Sequence, residues 1–496
     1  MSDLRTHQEY QKIAAELTPP SQCFINGSLH SASNGEVIKV TNPATGAEIT
    51  QIPACTTEDV DLAVAAARDV FESGSWSKRH PGERKEVLIK LAQLIEDNGD
   101  ELAVLESMDS GKPIADCVTI DIPEVAHTLR WHAELIDKIY DQTAPVGSGA
   151  VSMIVREPVG VVGAVLPWNF PILMLAWKIA PSLAAGCSVV LKPAAQTSLT
   201  AIRVAELAVE AGLPAGVLNV ITGSGRVVGE AIGKHMDIDM VTFTGSTATG
   251  RKFLNYSADS NIKEVVLELG GKNPCVVLND AEDLDVVAEH VVSAAFWNMG
   301  ENCSAGSRLI VEEGIKDALL EKIVEQARAW KTGDPLDPEN QLGALVDQGH
   351  FNKVTEYFDI AKEDGHQLVI GGESVDGCYV LPTIYDGVKN SDRLAREEIF
   401  GPILSVITVS GYEEAIAVAN DTEYGLTASV FTAHAKRSMR AAQALRAGTV
   451  TVNCFGEGDI STPFGGYKQS GFGGRDNSIH AHDQFTQLKT IWVDLD

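Results

Sequence analysis

Short apolar runs alternate with longer stretches of helical period through the middle of this 496-residue chain. GVVGAVL at 160–166 is one such run, followed by a PWNFP turn and a helical stretch to Ala185. CSVVLK at 187–192 is a second, and a helix over 200–211 then leads to VLNVIT at 217–222. A helix over 226–234 precedes DMVTFT at 239–244, and another precedes EVVLEL at 264–269. Unbroken apolar runs between helices predict parallel strands covered on both faces. Ligands of such sheets bind beyond the carboxyl ends of the strands. A second α/β series begins with CVVLND at 275–280 and continues to about residue 470. Residues 58–107 read as two amphipathic helices around a Ser-Gly-Ser-Trp break at 73–76. FTQLKTIWV at 485–493 alternates apolar and polar, as an edge strand does, and a strand left at a chain end invites pairing with another subunit. The first 20 residues, ending in Thr-Pro-Pro, read as a loosely attached leader.

Composition narrows the class. Hydrophobic residues make up 44% and charged residues 22%, as in ordinary globular proteins, and the length predicts about three domains. The net charge is −29, which opposes nucleic acid and anionic membrane surfaces as partners. The polar start MSDLRTHQEYQK predicts no secretory signal, and no apolar run is long enough to predict a membrane-spanning helix. Eight scattered cysteines form no C-x-x-C pair, so neither a metal site nor a redox dithiol is expected. Their dilution fits a reducing cytoplasm.

The candidate chemistry starts where strands end. GSGRVVG at 223–229 spaces its glycines one residue too widely for a dinucleotide fingerprint, and equally fits an ordinary glycine-rich turn. In FTGSTATG at 243–250, Gly245 and Ser246 close a strand and open a helix whose N–H groups can bind a pyrophosphate. Lys192 ends a neighbouring strand, within reach of a ribose or phosphate. Cys303 follows a Gly300 break and precedes small residues, so it differs from a cysteine that simply fills a core. Glu268 ends an apolar strand before two glycines, where burial would raise its pKa toward that of a general base. Asn169 sits between aromatics in LPWNFP and is either a turn residue or an oxyanion donor.

These pieces occur in order with EEIFGP at 397–402 and PFGGYKQSG at 463–471. The ordered set PWNFP, KPAAQT, FTGST, LELGGKNP, Gly-x-x-Cys, EEIFGP and PFGGYKQSG resembles the aldehyde dehydrogenase superfamily over roughly residues 20–495. The resemblance implies an NAD(P)-dependent enzyme that oxidises an aldehyde to a free carboxylate through a thioester. Cys303 would be the nucleophile, Glu268 the general base and Asn169 the oxyanion donor. Leu166, Trp168, Lys192, Gly225, Gly245, Ser246, Glu398 and Phe400 would contact the cofactor. The implied α/β fold has a Rossmann-like cofactor domain over 21–140 and 160–269, and an α/β catalytic domain over 270–477. A small β oligomerisation extension would use 141–159 and 478–496, giving a homodimer or homotetramer. No metal is implied.

Ala195 stands where many NAD-preferring members carry an acid, so nothing there repels a 2′-phosphate. Lys192 and Arg226 are the cations that could pair with it, and both NADP and NAD are expected as cofactors. By the same resemblance Phe170, Met174, Trp177, Phe296, Trp297, Phe455 and Phe464 would wall a substrate tunnel, with Glu457 and Asp459 at its mouth. Acids beside aromatics attract a cationic chain end. GEGDISTPFGGYKQSGFGGRDNSIHA is similar to bacterial members that oxidise γ-glutamyl-γ-aminobutyraldehyde or 4-guanidinobutyraldehyde, substrates of polyamine and arginine breakdown. The alternative is a broad aliphatic and aromatic aldehyde dehydrogenase that serves detoxification.

Overall fold

The computed structural model describes residues 4–375, 377–456 and 458–495. Its first sheet runs Ser28–His30, Cys23–Ile25, Leu218–Val220, Ser188–Lys192, Val161–Val165, Met240–Thr244, Glu264–Glu268 and Gly471–Phe472. The five strands from Leu218–Val220 to Glu264–Glu268 are parallel, and the flanking ones are antiparallel. Their continuous apolar character has a direct cause. Val162, Ala164, Val189 and Leu191 pack beneath the helices Pro171–Ala185 and Leu199–Ala211. Val161, Val165, Val190 and Val241 face the opposite way, toward Val60, Ala63 and Val64 of the Thr57–Ser73 helix. Both sides of the pleat are therefore dry. The Pro171–Ala185 helix is buried at every position, which explains why its sequence shows no polar face.

The second sheet is ordered Gln367–Ile370, Thr383–Asp386, Ile403–Val409, Arg308–Glu312, Pro274–Val277, Thr427–Phe431 and Thr449–Val452. All its pairings are parallel except that of Gln367–Ile370. It has its own core beneath the Leu284–Phe296, Glu313–Ala329 and Gln348–Glu363 helices. Five residues, Leu269–Asn273, carry the chain from the end of one sheet into the other. The return segment brings Gly471 back beside Glu268, so residues 471–472, expected in the catalytic part, pair with the first sheet. A third, antiparallel sheet joins Gln142–Ala144, Ala150–Pro158 and Thr486–Asp494. Leu488, Trp492 and Val493 on its edge strand are exposed.

Two expectations need correction. Residues 58–107 hold three helices, Thr57–Ser73, Pro81–Asp97 and Gly99–Ser110, because Asn98 leaves the helical path and Gly99 restarts it. The N-terminal stretch is not loosely attached over its described part. His7–Glu16 is a helix with a Thr6–Glu9 capping box, and Tyr10 is fully buried against the first core. Arg5 pairs with Asp100 at 2.5 Å, which closes the contact. The sequence signal was hidden because one fully buried aromatic, helped by the partly buried Ile13, Ala14 and Leu17, does the anchoring. Tyr10→Ala should cost about 3 kcal/mol of local docking energy. Limited trypsin digestion would then cut within the first helix before the rest of the chain unfolds, whereas unchanged protection would refute the anchoring role.

Candidate active site

The site lies where the two cores meet. Glu268 enters from the first sheet, with its main chain held on both sides. The Gly245 N–H donates to the Glu268 carbonyl at 3.0 Å, and the Leu269 N–H donates to the Ser470 carbonyl at 2.8 Å. Glu268 is 4% exposed, and neither carboxyl oxygen has a partner of full hydrogen-bond geometry, although the Gly466 N–H approaches closely enough to favour its ionised form. Burial, and then the charge of Asp476, raise its pKa well above the usual carboxylate range, while Lys178 and Arg475 pull it down. Lys178 and Asp476 form their own buried pair at 2.6 Å, and Asp476 lines the same cavity as Glu268. An unpaired buried carboxyl costs about 1–3 kcal/mol, so the fold spends stability to hold Glu268 in this state.

The thiol enters from the other core. Beyond the Leu284–Phe296 helix, Asn298, Met299 and Gly300 take left-handed conformations in succession, with φ of 53°, 56° and 69°. The two non-glycine residues cost about 1 kcal/mol each or more. Gly300 is obligatory in a second way, since a Cβ there would stand 2.8 Å from the Pro402 nitrogen. Side-chain amides hold this path. Asn298 Nδ2 donates to the carbonyls of Asn169 at 2.9 Å and Glu301 at 3.0 Å. Asn169 Nδ2 also donates to the Glu301 carbonyl, at 2.9 Å. Asn273 Nδ2 donates to the carbonyls of Cys303 at 2.7 Å and Ala305 at 3.0 Å. Cys303, Glu268 and Asn169 consequently line one cavity. The Asn169 amide has a second N–H beyond the one given to Glu301.

Five expected cofactor residues share that cavity: Trp168, Gly245, Ser246, Glu398 and Phe400. Ser246 caps the Thr247–Ala258 helix, so this helix start opens on the cavity. One Glu398 oxygen accepts the Gly271 N–H at 2.8 Å, and a Cβ at Gly270 would collide with the carboxylate. Phe400 has a φ of 64°, and its ring meets Trp168 edge-on at 5.3 Å. The other four residues do not line the cavity. Leu166 and Lys192 lie on adjoining strands of the same sheet, and the Leu166 N–H donates to the Lys192 carbonyl at 2.9 Å. The Lys192 ammonium donates to the Pro193 carbonyl at 2.9 Å, and burial lowers its pKa to about 8, which keeps it mostly charged at neutral pH. Gly225 and Arg226 are exposed on the turn after the next strand, and Ala195 is half-buried. A helix start and a buried ammonium at the carboxyl edge of the first sheet, with an anchored carboxylate from the loop before Ile403–Val409, suit the phosphates and ribose hydroxyls of a dinucleotide.

Phe170, Met174, Trp177 and Phe464 form the apolar wall, with Trp177 and Phe464 at 5.3 Å. Trp297, Phe455 and Asp459 line an adjoining outer hollow that shares Leu173 and Trp177 with the cavity. Phe296 belongs to neither. It is fully buried in the second core, 6.4 Å from Trp330, because it is the last residue of its helix and points opposite to Trp297. Glu457 lies outside the described residues. Sequence reasoning missed Glu124 and His127, which face the outer hollow from the Ile122–Leu135 helix. It also missed the Lys178–Asp476 pair and His350, whose sequence neighbourhoods are unremarkable. Asn273 stood inside a quoted motif, but only the fold shows which carbonyls it holds.

The aldehyde dehydrogenase family model matches residues 30–491. The aminoacetaldehyde dehydrogenase of Pseudomonas aeruginosa is 61% identical over 494 residues, covering 100% of both chains. The NADP/NAD-dependent aldehyde dehydrogenase PuuC of Escherichia coli is 46% identical, covering 98% of each. A solved indole-3-acetaldehyde dehydrogenase in complex with NAD+ superposes with a TM-score of 0.98 at 48% identity, over 99% of this chain and 100% of that one. A thiol, a raised carboxyl and an amide in one cavity beside a dinucleotide-like edge agree with these likenesses along the whole length. The chain belongs to the aldehyde dehydrogenase family.

Proposed function

We propose that this protein oxidises ω-amino or ω-modified aliphatic aldehydes to free carboxylates with NADP or NAD, using Cys303, Glu268 and Asn169. The observation that carries this reading is the desolvated Glu268 carboxyl in the cavity that holds the Cys303 thiol and the Asn169 amide. The Cys303 thiolate attacks the aldehyde carbon, and the new oxyanion lies by the second N–H of Asn169. As that oxygen re-forms its double bond, the carbon gives up a hydride and remains on sulfur as a thioester. When bound, the nicotinamide supplies the hydride acceptor. Glu268 then removes a proton from water, the hydroxyl adds to the thioester carbon, and the acid leaves as the sulfur is released. Ser246, Lys192 and Glu398 hold the cofactor, with Trp168 and Phe400 beside it. Leu166, Gly225 and Arg226 extend its seat along the sheet edge. The same reading gives 21–140 and 160–269 to cofactor binding and 270–477 to catalysis. It assigns 141–159 and 478–496 to an extension whose exposed Leu488, Trp492 and Val493 pair subunits into a homodimer or homotetramer.

The substrate class rests on the outer hollow. Glu124 and Asp459 flank Trp177, Trp297 and Phe455 there, a setting that suits a cationic end. His127 stands 3.8 Å from Glu124 and tempers the charge when protonated. The named substrate of the Pseudomonas aeruginosa relative is an aminoaldehyde, in line with this. The aromatic wall favours a second reading, a broad specificity that includes neutral aromatic aldehydes.

Cys303→Ala should abolish nicotinamide reduction, and Glu268→Gln should slow turnover by about 10²–10⁴-fold while sparing the first hydride transfer. The base acts only as carboxylate, so the raised Glu268 pKa gives kcat an acidic limb that rises with pH. Asp476→Asn removes a nearby negative charge and leaves Lys178 less compensated. Both effects lower the Glu268 pKa, so the limb should move to lower pH; an unmoved limb would assign it to another group. Neutralising Glu124 and Asp459 together should cut kcat/KM for 4-guanidinobutyraldehyde by about three- to tenfold and leave propanal unchanged. Equal loss for both aldehydes favours the broad reading. Ala195→Glu should lower kcat/KM for NADP by at least about tenfold and spare NAD, and a wild-type protein inactive with NADP would sink the cofactor argument.

A further inference from the structure

His350 sits where the cofactor side and the thiol side of the cavity meet. It lies in the first turn of the Gln348–Glu363 helix, and its main-chain N–H donates to the capping Asp347 carboxylate at 2.7 Å. The ring packs 4.8 Å from Trp168 and 6.0 Å from Phe400, centre to centre. Its Nε2–H donates to the Phe400 carbonyl at 2.6 Å, which assigns the tautomer, since a carbonyl only accepts. The same nitrogen lies 3.5 Å from Glu301 Oε1. That oxygen also accepts the Val346 N–H at 3.1 Å, and the Glu301 main-chain carbonyl accepts Asn169 Nδ2. The segment His350 grips is strained at Phe400, which is left-handed, and its next two residues pass so close to Gly300 that no Cβ would fit there. Burial lowers the His350 pKa to about 4, so the ring is neutral at physiological pH and acts as a hydrogen-bond donor rather than a charge.

We propose that His350 is a positioning residue that locks the Phe400 segment, and with it Glu398, to the Glu301–Asn169 segment, so that the cofactor seat and the oxyanion pocket share one geometry. The inference rests on the assignment of Glu398 and Asn169 made above. It adds a coupling between them that neither residue explains alone. A misplacement of about 1 Å in such a support costs roughly 10²-fold at the extreme, and a held but loosened loop costs less.

The test compares His350→Phe, which keeps a ring and loses the donor, with His350→Gln, which restores an N–H near the Nε2 position. Two readouts are needed: aldehyde oxidation with NAD(P), and cofactor-free hydrolysis of p-nitrophenyl acetate, which needs the thiol, the oxyanion pocket and the Glu268 base but not the cofactor seat. His350→Phe should lower kcat of both reactions by about tenfold with aldehyde KM unchanged, and His350→Gln should recover both to within about threefold. Ester hydrolysis at the wild-type rate in His350→Phe would show that His350 serves the cofactor seat only, and would overturn the coupling. Loss in His350→Phe without recovery in His350→Gln would overturn it as well, by showing a packing effect. If His350→Phe does not fold, as judged by near-UV circular dichroism, His350→Asn takes its place, since its amide is too short to reach the Phe400 carbonyl. A wild-type protein that hydrolyses no ester and oxidises no aldehyde removes the thiol assignment itself, and the coupling with it.

Discussion

A carboxyl group kept out of water without a hydrogen bond is the costly element of this fold, and much of the surrounding structure serves it. Glu268 ends a strand whose other side chains are buried and apolar from Val265 on, and its register partner across the sheet, Thr244, gives it no hydrogen bond. The return of Gly471 beside its main chain seals the remaining side. Charge reaches the group only at a distance, from the paired Lys178 and Asp476 and from Arg475. Pairing is what permits two full charges in that interior, since either partner alone would be strongly destabilising. The carboxyl is thereby held reluctant to ionise without being forbidden to do so.

The thiol side solves a different problem, that of making a buried backbone leave its helix and present a side chain to a cavity. Three consecutive left-handed residues turn the chain, and carboxamides fasten the segment that follows: Asn169, Asn273 and Asn298 donate to the carbonyls of Glu301, Cys303 and Ala305, and Asn298 also to that of Asn169. Donors are thereby supplied to buried main-chain carbonyls outside any helix or strand. The same economy appears at Phe400, a strained non-glycine residue whose carbonyl is taken up by His350. Left-handed non-glycine residues occur elsewhere in the chain as well, but at these two loops they lie beside the cavity, where position matters more than stability.

The outer hollow is looser than the inner cavity. Its acids, Glu124 and Asp459, come from a helix and from a loop between which no hydrogen bond is found among the described residues, and both are exposed. Under the proposed function, such a mouth would sort substrates by field rather than by a fitted contact. That division, a rigid chemical centre and an adjustable entrance, lets one family member differ from another in substrate while the centre stays the same.

Much of this was legible in the order of residues. The parallel sheets follow from unbroken apolar runs, because each strand must be dry on both faces, and Cys303, Glu268 and Asn169, singled out by their motifs, do line one cavity. The end of the chain, read as an edge strand, is one: Thr486–Asp494 lies at the edge of its sheet, paired antiparallel with Ala150–Pro158. What the sequence could not express is which distant groups would meet. Tyr10 looks like any aromatic in a polar leader until the first core closes over it. Phe296 and Trp297 are adjacent in the chain, yet one fills a core and the other faces a hollow, since the end of a helix decides which way each side chain leaves. Lys178 meets Asp476, and His350 meets Phe400 and Glu301, across separations of tens to hundreds of residues. Composition and spacing determine which elements form and what reagents the chain carries; only the packing of two cores against each other decides which reagents face one another, and in what state of charge.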